Sequence, residues 1–185
     1  MKSGKDFPIL ETARLRLRQP QGNDVQRLLA ITHDIDVMRY YGMEAFKSEQ
    51  EALDEINWFN SQYEKAKGIR WVITIKPQDE YIGDIGFGYA RAHARADLGF
   101  KLMQEHWRQG IVREAMDAVI AYGIEEWQVN RFEAMVDPRN AACVGLLEEF
   151  GFVREGLLRE YEFEKGGFVD LLMYSMLRRE WATRA

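Results

Sequence analysis

Hydrophobic residues recur along this chain at two spacings, every second position and every third or fourth, and the switches between them mark out its elements. Arg14 to Gln19 alternates charge with Leu15 and Leu17, the pattern of a strand with leucines inward and arginines facing solvent. Val25, Leu28, Leu29 and Thr32 fall on one side of a helix that Asn23 or Asp24 is placed to cap. After an irregular stretch over 34–46, Ser48-Glu49-Gln50-Glu51 reads as a capping box opening a second helix, striped by Leu53, Ile56, Phe59 and Tyr63 and ended by Gly68. Strands over Arg70–Ile75 and Tyr81–Ala90 then form a hairpin through Lys76-Pro77-Gln78-Asp79, and Arg91 to Ala96 turns the chain into a fourth strand, Asp97–Leu102. Leu98, Phe100 and Leu102 alternate there, whereas Val112, Ala115, Met116 and Val119 keep helical spacing as far as about Trp127. A second strand-to-helix unit follows, Arg131–Val136 and Asn140–Phe150, and a final hairpin joins Phe152–Phe163 to Phe168–Leu177, with Gly166-Gly167 as its turn signal. A helix between two strands favours parallel pairing, so Asp97–Leu102 and Arg131–Val136 are expected side by side.

The change of period across Trp107 to Gly110 carries the first chemical suggestion. A strand, a short basic loop and a helix start point unpaired backbone N–H groups outward, Gly110 lets a ligand approach the main chain, and Arg108 and Arg113 add positive charge. That is an anion site. It is neither a Walker A loop nor a dinucleotide fingerprint, since the required glycine spacings are missing. Composition narrows the class. The 185 residues, 46% hydrophobic and 30% charged, suit one soluble domain over 1–185 with its core over about 12–181. A formal net charge of −5 argues against coating nucleic acid. No apolar run reaches bilayer length, and no apolar segment of signal-peptide type follows Met1, so no membrane partner and a cytoplasmic location are expected. Cys143 is the lone cysteine, and His33, His93 and His106 are scattered, so no disulfide or metal site is expected.

The run Trp107-Arg108-Gln109-Gly110-Ile111-Val112 resembles the pyrophosphate-binding motif of GNAT-type acetyltransferases, Gln/Arg-x-x-Gly-x-Gly/Ala, with Trp107 and Val112 as its departures. Arg113-Glu114-Ala115 after it is similar to the ribosomal-protein N-acetyltransferase (RimJ/RimL-like) branch. Thr12-Ala13-Arg14-Leu15-Arg16-Leu17-Arg18, Ile82-Gly83-Asp84-Ile85-Gly86, Asp137-Pro138-Arg139-Asn140, Gly151-Phe152 and Glu155-Gly156 extend the resemblance from about Thr12 to Trp181. It implies a single α/β (α+β) domain: a mixed, mostly antiparallel sheet of about six or seven strands, with a central splayed parallel pair and flanking helices. It implies acetyl-CoA as co-substrate, without metal. The backbone of Gly99, Phe100, Lys101 and Leu102 would pair with the pantetheine arm and acetyl carbonyl, Trp107, Arg108, Gln109, Gly110, Ile111, Val112 and Arg113 would hold the pyrophosphate, and Asn140 and Cys143 would lie beside the arm.

Acetyl transfer to an amine needs an oriented thioester, a neutral nucleophile and a proton for the departing thiolate. The resemblance places the base at Glu162 by the RimL-like branch or near Glu133 by the related alanine-acetylating branch, which has its glutamate where Met135 stands; Asp97 is a third candidate. For the acid, Leu147 replaces the tyrosine of the alanine-acetylating branch and Cys143 replaces the serine of the RimL-like Asn-x-x-Ser. A helix start would lower the Cys143 thiol pKa, and Tyr161 is the alternative. Met38, Arg39, Tyr40, Tyr41, Trp58 and Phe59 are candidate acceptor contacts. The acceptor is expected to be a protein N-terminal amine, of ribosomal-protein type, in a monomer or homodimer. A polyamine or drug amine, and a non-catalytic acyl-CoA-binding domain, are the alternatives.

Overall fold

A computed structural model of the protein describes residues 6–183; the outermost residues of the expected 1–185 domain lie outside that range. Eight strands form one sheet in the order β1-β2-β3-β4-β5-β6-β8-β7, one or two more than expected. They are β1 (Leu10–Glu11), β2 (Leu15–Arg18), β3 (Gly68–Ile75), β4 (Gly83–Ala90), β5 (Arg95–Leu102), β6 (Arg131–Val136), β7 (Val153–Glu164) and β8 (Gly167–Leu177). The helices are α1 (Val25–His33), α2 (Ile35–Met38), α3 (Glu49–Glu64), α4 (Ile111–Glu126), α5 (Ala141–Phe150) and α6 (Arg178–Trp181). All pairings are antiparallel except β5 with β6.

The alternation legible in the sequence decides which face each helix covers. Ile69, Trp71, Ile73, Ile85, Phe87, Ala96, Leu98, Phe132, Ala134, Leu172 and Tyr174 point to one face and pack with Ala115, Met116, Val119 and Ile120 of α4 and with Leu147 and Phe150 of α5. On the other face Val72 and Tyr81 pack under α1 and α3, with Leu28, Ile31, Ala52 and Ile56. The intervening positions on that second face, Arg70, Asp84, Asp97, Lys101 and Glu133, are charged. A sheet with one apolar face and one half-apolar, half-charged face leaves a polar floor beside α3, and the site is built there.

Four expectations change. Arg18 does not face solvent: it is 3% exposed, and its guanidinium makes a two-pronged pair with Asp24 at 2.7 and 2.8 Å. Asp24 therefore serves as a buried counter-ion and does not cap α1 through its side chain. Gly68 belongs to β3, and the chain leaves α3 through Lys65 and Ala66, the latter left-handed at φ 51°. The last hairpin turns on Lys165-Gly166, at φ 48° and 86°, and Gly167 already pairs with Glu164. A two-residue turn of this hand needs positive φ at both central positions, which moves it one residue earlier than the Gly-Gly pair suggested.

Candidate active site

The end of β5 leads through a short 3-10 turn, Gln104–His106, into α4. Gly110 stands at the N-cap with φ 72°, a conformation that favours glycine, and no side chain caps this helix start. By contrast Ser48 caps α3 and Asn140 caps α5 through side-chain oxygens. The leading N–H groups of Ile111, Val112 and Arg113 are thus left for an anion. Arg108, also left-handed at φ 59°, and Arg113, whose guanidinium lies 6.0 Å from the Phe150 ring, flank them. Arg14 adds a third cation: it donates to the Gln109 carbonyl at 2.9 Å and its tip lies beside Gly110. Glu114 holds it there, accepting from Arg14 Nε at 2.7 Å, the Arg14 amide at 2.9 Å and the Thr12 hydroxyl at 2.5 Å. Burial alone would raise the Glu114 carboxyl; these bonds hold it below its usual range. Trp107 closes the loop by donating its indole N–H to the Leu102 carbonyl at 2.7 Å. The Gly99 carbonyl likewise accepts from Arg70 at 2.8 Å, so two of the backbone groups expected to meet the cofactor already have side-chain partners. Phe100 packs toward the α4 core.

Strands β5 and β6 are paired over only three positions, Arg95 with Arg131, Ala96 with Phe132 and Asp97 with Glu133. Beyond them β6 continues alongside β8 alone, as far as Val136, while β5 continues alongside β4 to Leu102. The two strands part toward the α4 start, giving the splay. At the closed end lies a cavity of about 330 Å³, lined by Gly88, Tyr89, Ala90, Arg95, Asp97, Glu133, Met135, Tyr161 and Met173. Three of the sequence-derived acid and base candidates meet in it. Glu133 is held by Arg131 at 2.7 Å and Arg95 at 3.1 Å. The Asp97 side chain is solvent-accessible at the mouth of this cavity, but the surrounding protein displaces part of its water; that desolvation, reinforced by the negative charges of Glu133 and Glu162 and only partly offset by Arg70 and Arg95, raises its pKa. Glu162 lies further out on β7, opposite Val169, and shares a hydrogen bond with Glu164, whose pKa is raised first by burial and then by that contact.

Under α3 sits a buried ionic cluster that hydrophobic periodicity gives no hint of. Asp84, 1% exposed, binds Lys101 Nζ at 2.7 Å, Arg70 at 3.2 Å and the Tyr81 hydroxyl at 2.5 Å. Burial by itself would raise the Asp84 carboxyl; the two cations hold it low. Lys101 lies 5.3 Å from the Tyr41 ring and Arg70 5.3 Å from the Phe59 ring. Glu55 completes the cluster, its carboxyl raised by burial and restrained by Lys101 and Arg70. The one available signal was Asp84 itself, a carboxylate inside an otherwise apolar strand, which demands buried cations.

Of the acceptor candidates, Tyr40 and Tyr41 reach the open end of the splay, Tyr40 at 5.8 Å from the Arg139 guanidinium and Tyr41 over Lys101. Lys165 at the β7–β8 turn bonds the Met38 carbonyl, and Glu164 lies against Gly42, so this loop bridges to the hairpin tip. Met38 and Phe59 are core residues, whereas Trp58 and Arg39 are exposed. Asn140 accepts from the Cys143 amide at 3.1 Å. The Cys143 thiol is not lowered by the helix start: burial pushes it up to about 12. The dipole acts within the first turn, but a thiol packed against the hydrophobic core loses the solvation that a thiolate needs. Among the described residues no group of His, Cys, Asp and Glu could hold a metal ion.

Known proteins carry the same layout. The acetyltransferase (GNAT) domain family matches residues 14–153. The uncharacterized N-acetyltransferase YoaA of Bacillus subtilis is 39% identical over 173 residues, covering 93% of this chain and 98% of that protein. The uncharacterized N-acetyltransferase p20 of Bacillus licheniformis is 36% identical over 174 residues, covering 94% and 98%. Among solved structures, RimL, a ribosomal L7/L12 alpha-N-protein acetyltransferase in complex with coenzyme A, superposes with a TM-score of 0.84 at 18% identity, covering 94% of this chain and 99% of its own. The chain belongs to the GNAT family and is an acetyl-CoA-dependent N-acetyltransferase.

Proposed function

We propose that the protein transfers the acetyl group of acetyl-CoA to a protein N-terminal α-amine. One observation carries this reading: the β5–β6 splay runs from an uncapped helix start ringed by Arg14, Arg108 and Arg113 to a cavity lined by a protonation-prone carboxyl, Asp97. An anion site and an acid–base site joined by unpaired strand edges fit a thioester whose phosphates bind at one end and whose carbonyl reacts at the other. RimL acts on a protein N-terminus, which supports the acceptor class. The carboxylates of Asp97 and Glu162 favour one second reading, a small cationic amine such as a polyamine.

The amine nitrogen attacks the thioester carbonyl, a C–N bond forms, and the C–S bond breaks with the pair leaving on sulfur. The amine proton has to reach a carboxylate, and a proton has to reach the thiolate. Asp97 is the base in this reading, because it faces the cavity while Glu133 is committed to two arginines and Glu162 to Glu164. Tyr161 lines the same cavity and is the nearer acid; Cys143, with its raised pKa, is the other. A panel of N-terminal peptides and polyamines, followed by release of free thiol and by mass spectrometry of acetylated N-termini in a deletion strain, tests the acceptor. Peptides should be turned over with higher kcat/KM than polyamines; the reverse order selects the cationic-amine reading, and no turnover with any amine rejects both.

A further inference from the structure

Strand β7 leaves its partner for two residues more than its length requires. Leu158 faces Leu171 and Glu162 faces Val169, so Arg159, Glu160 and Tyr161 stand opposite Asp170 alone. With side chains alternating, Leu158 and Glu162 lie on the face of Leu171 and Val169, and Tyr161 in a regular strand would point to the other face. The two extra residues break that alternation, and Tyr161, half exposed, lines the cavity beside Asp97, Glu133, Met135 and Met173. The rotation is made at Glu160, whose φ of 49° is a left-handed conformation that a glutamate adopts at a cost. Such a residue persists only where its surroundings fix it. Here the fixing contact is a bond from the Glu160 amide to the Asp170 carboxylate, 2.8 Å long.

We infer that Asp170 is a positioning residue for the amine acceptor: it latches the β7 bulge, and the bulge presents Tyr161 as the wall against which the amine is set beside Asp97. The inference rests on the acetyltransferase reading for the identity of what is positioned. The latch is a property of the fold. Its charge matters less than its oxygen, because what it supplies is an acceptor for one N–H in an otherwise unpaired bulge.

Asp170→Ala removes that acceptor, whereas Asp170→Asn keeps an amide oxygen in its place. With 3-fluorotyrosine at position 161, the fluorine resonance should follow the ionisation of Asp97 in the parent and in Asp170→Asn, and lose that step in Asp170→Ala. Amide exchange at Glu160 should accelerate at least tenfold in Asp170→Ala alone. Kinetically, Asp170→Ala should raise the KM for the amine about tenfold, lower kcat as Tyr161 leaves its place, leave the KM for acetyl-CoA unchanged, and add nothing further in a Tyr161→Ala background. An unchanged fluorine titration in Asp170→Ala, or effects of Asp170→Ala and Tyr161→Ala that simply multiply, overturns the inference. A parent protein that acetylates no amine defeats the acceptor reading above, while the latch stands or falls on the fluorine and exchange measurements alone.

Discussion

Asp97 shows how a single side chain takes on a task through its neighbours. A carboxyl partly stripped of water in a cavity, beside two like charges, holds its proton to higher pH than the ordinary aspartate value of 3.8. The consequence for stability has a definite sign. The native state binds this proton more tightly than the unfolded chain does, so ionising Asp97 costs stability as pH rises through the folded value, and the cost persists at neutral pH. Asp97→Asn should therefore raise the Tm at pH 7 while lowering kcat by about 10²-fold or more, the size expected for a positioned general base. The acidic limb of kcat/KM should disappear with it, and Glu133→Gln should move that limb to lower pH by removing a like charge. If Glu162→Gln abolishes turnover and Asp97→Asn does not, the base is Glu162. Cys143 carries the opposite lesson. From the sequence its place three residues after Asn140 looked like a helix start that favours a thiolate; the packing beneath α5, which no local pattern reports, pushes the thiol up to about 12. Iodoacetamide should alkylate it slowly at pH 8. Cys143→Ser and Cys143→Ala should share the parent kcat if Tyr161 supplies the proton, and a loss confined to Cys143→Ala would return that role to position 143.

At the scale of elements, the α4 start gives the test of cofactor binding. Replacing Arg108 and Arg113 together by Ala should raise the KM for acetyl-CoA at least tenfold with little change for the acceptor, since each lost charge-assisted phosphate bond is worth roughly 1.5–3 kcal/mol. Calorimetry with CoA checks it, and unchanged affinity would defeat the assignment of this helix start. The Arg18–Asp24 pair belongs to the same scale, because it fastens β2 to the turn before α1. Asp24→Ala leaves a buried guanidinium with only Asp79, 2.9 Å away and half-exposed, as counter-ion. Loss of one partner of a buried pair costs about 3–5 kcal/mol, and Asp79 keeps the expected cost near the lower end, measured as a fall in urea midpoint. Gly123 in α4 is a packing constraint: a Cβ there would meet Phe132 at 2.5 Å, so Gly123→Ala should destabilise despite its gain in helix propensity. Most elements could be placed from periodicity alone, Leu15 and Leu17 or Ala115, Met116 and Val119 being as buried as their spacing implies. What periodicity cannot register is a charge whose partner is distant in sequence. Asp84 with Lys101 and Arg14 with Glu114 are such cases, and Lys101 and Arg14 look like ordinary surface charges until the chain is folded; Arg18 and Asp24 are only six residues apart, but the turn that brings them together leaves no periodic trace.

For the molecule as a whole, a ligand that binds only the folded state adds RT ln(1 + [L]/Kd), about 2.7 kcal/mol at one hundred times Kd. Coenzyme A should thus raise the Tm by several degrees, and the Arg108/Arg113 double variant should lose most of that rise. Five strands lie on one side of the β5–β6 boundary and three on the other. The backbone stitches across that boundary are the three register pairs at one end, so the sheet resembles two leaves sewn for a short way along a spine. Local openings of a fold run along its weakest cooperative boundaries. Amides inside β3–β4 and inside β6–β8 should accordingly exchange through two separate openings with distinct free energies, and a thioester lying in the seam should slow both at once. A co-substrate would then be more than cargo: while it is bound, it is part of the binding that makes two leaves behave as one page.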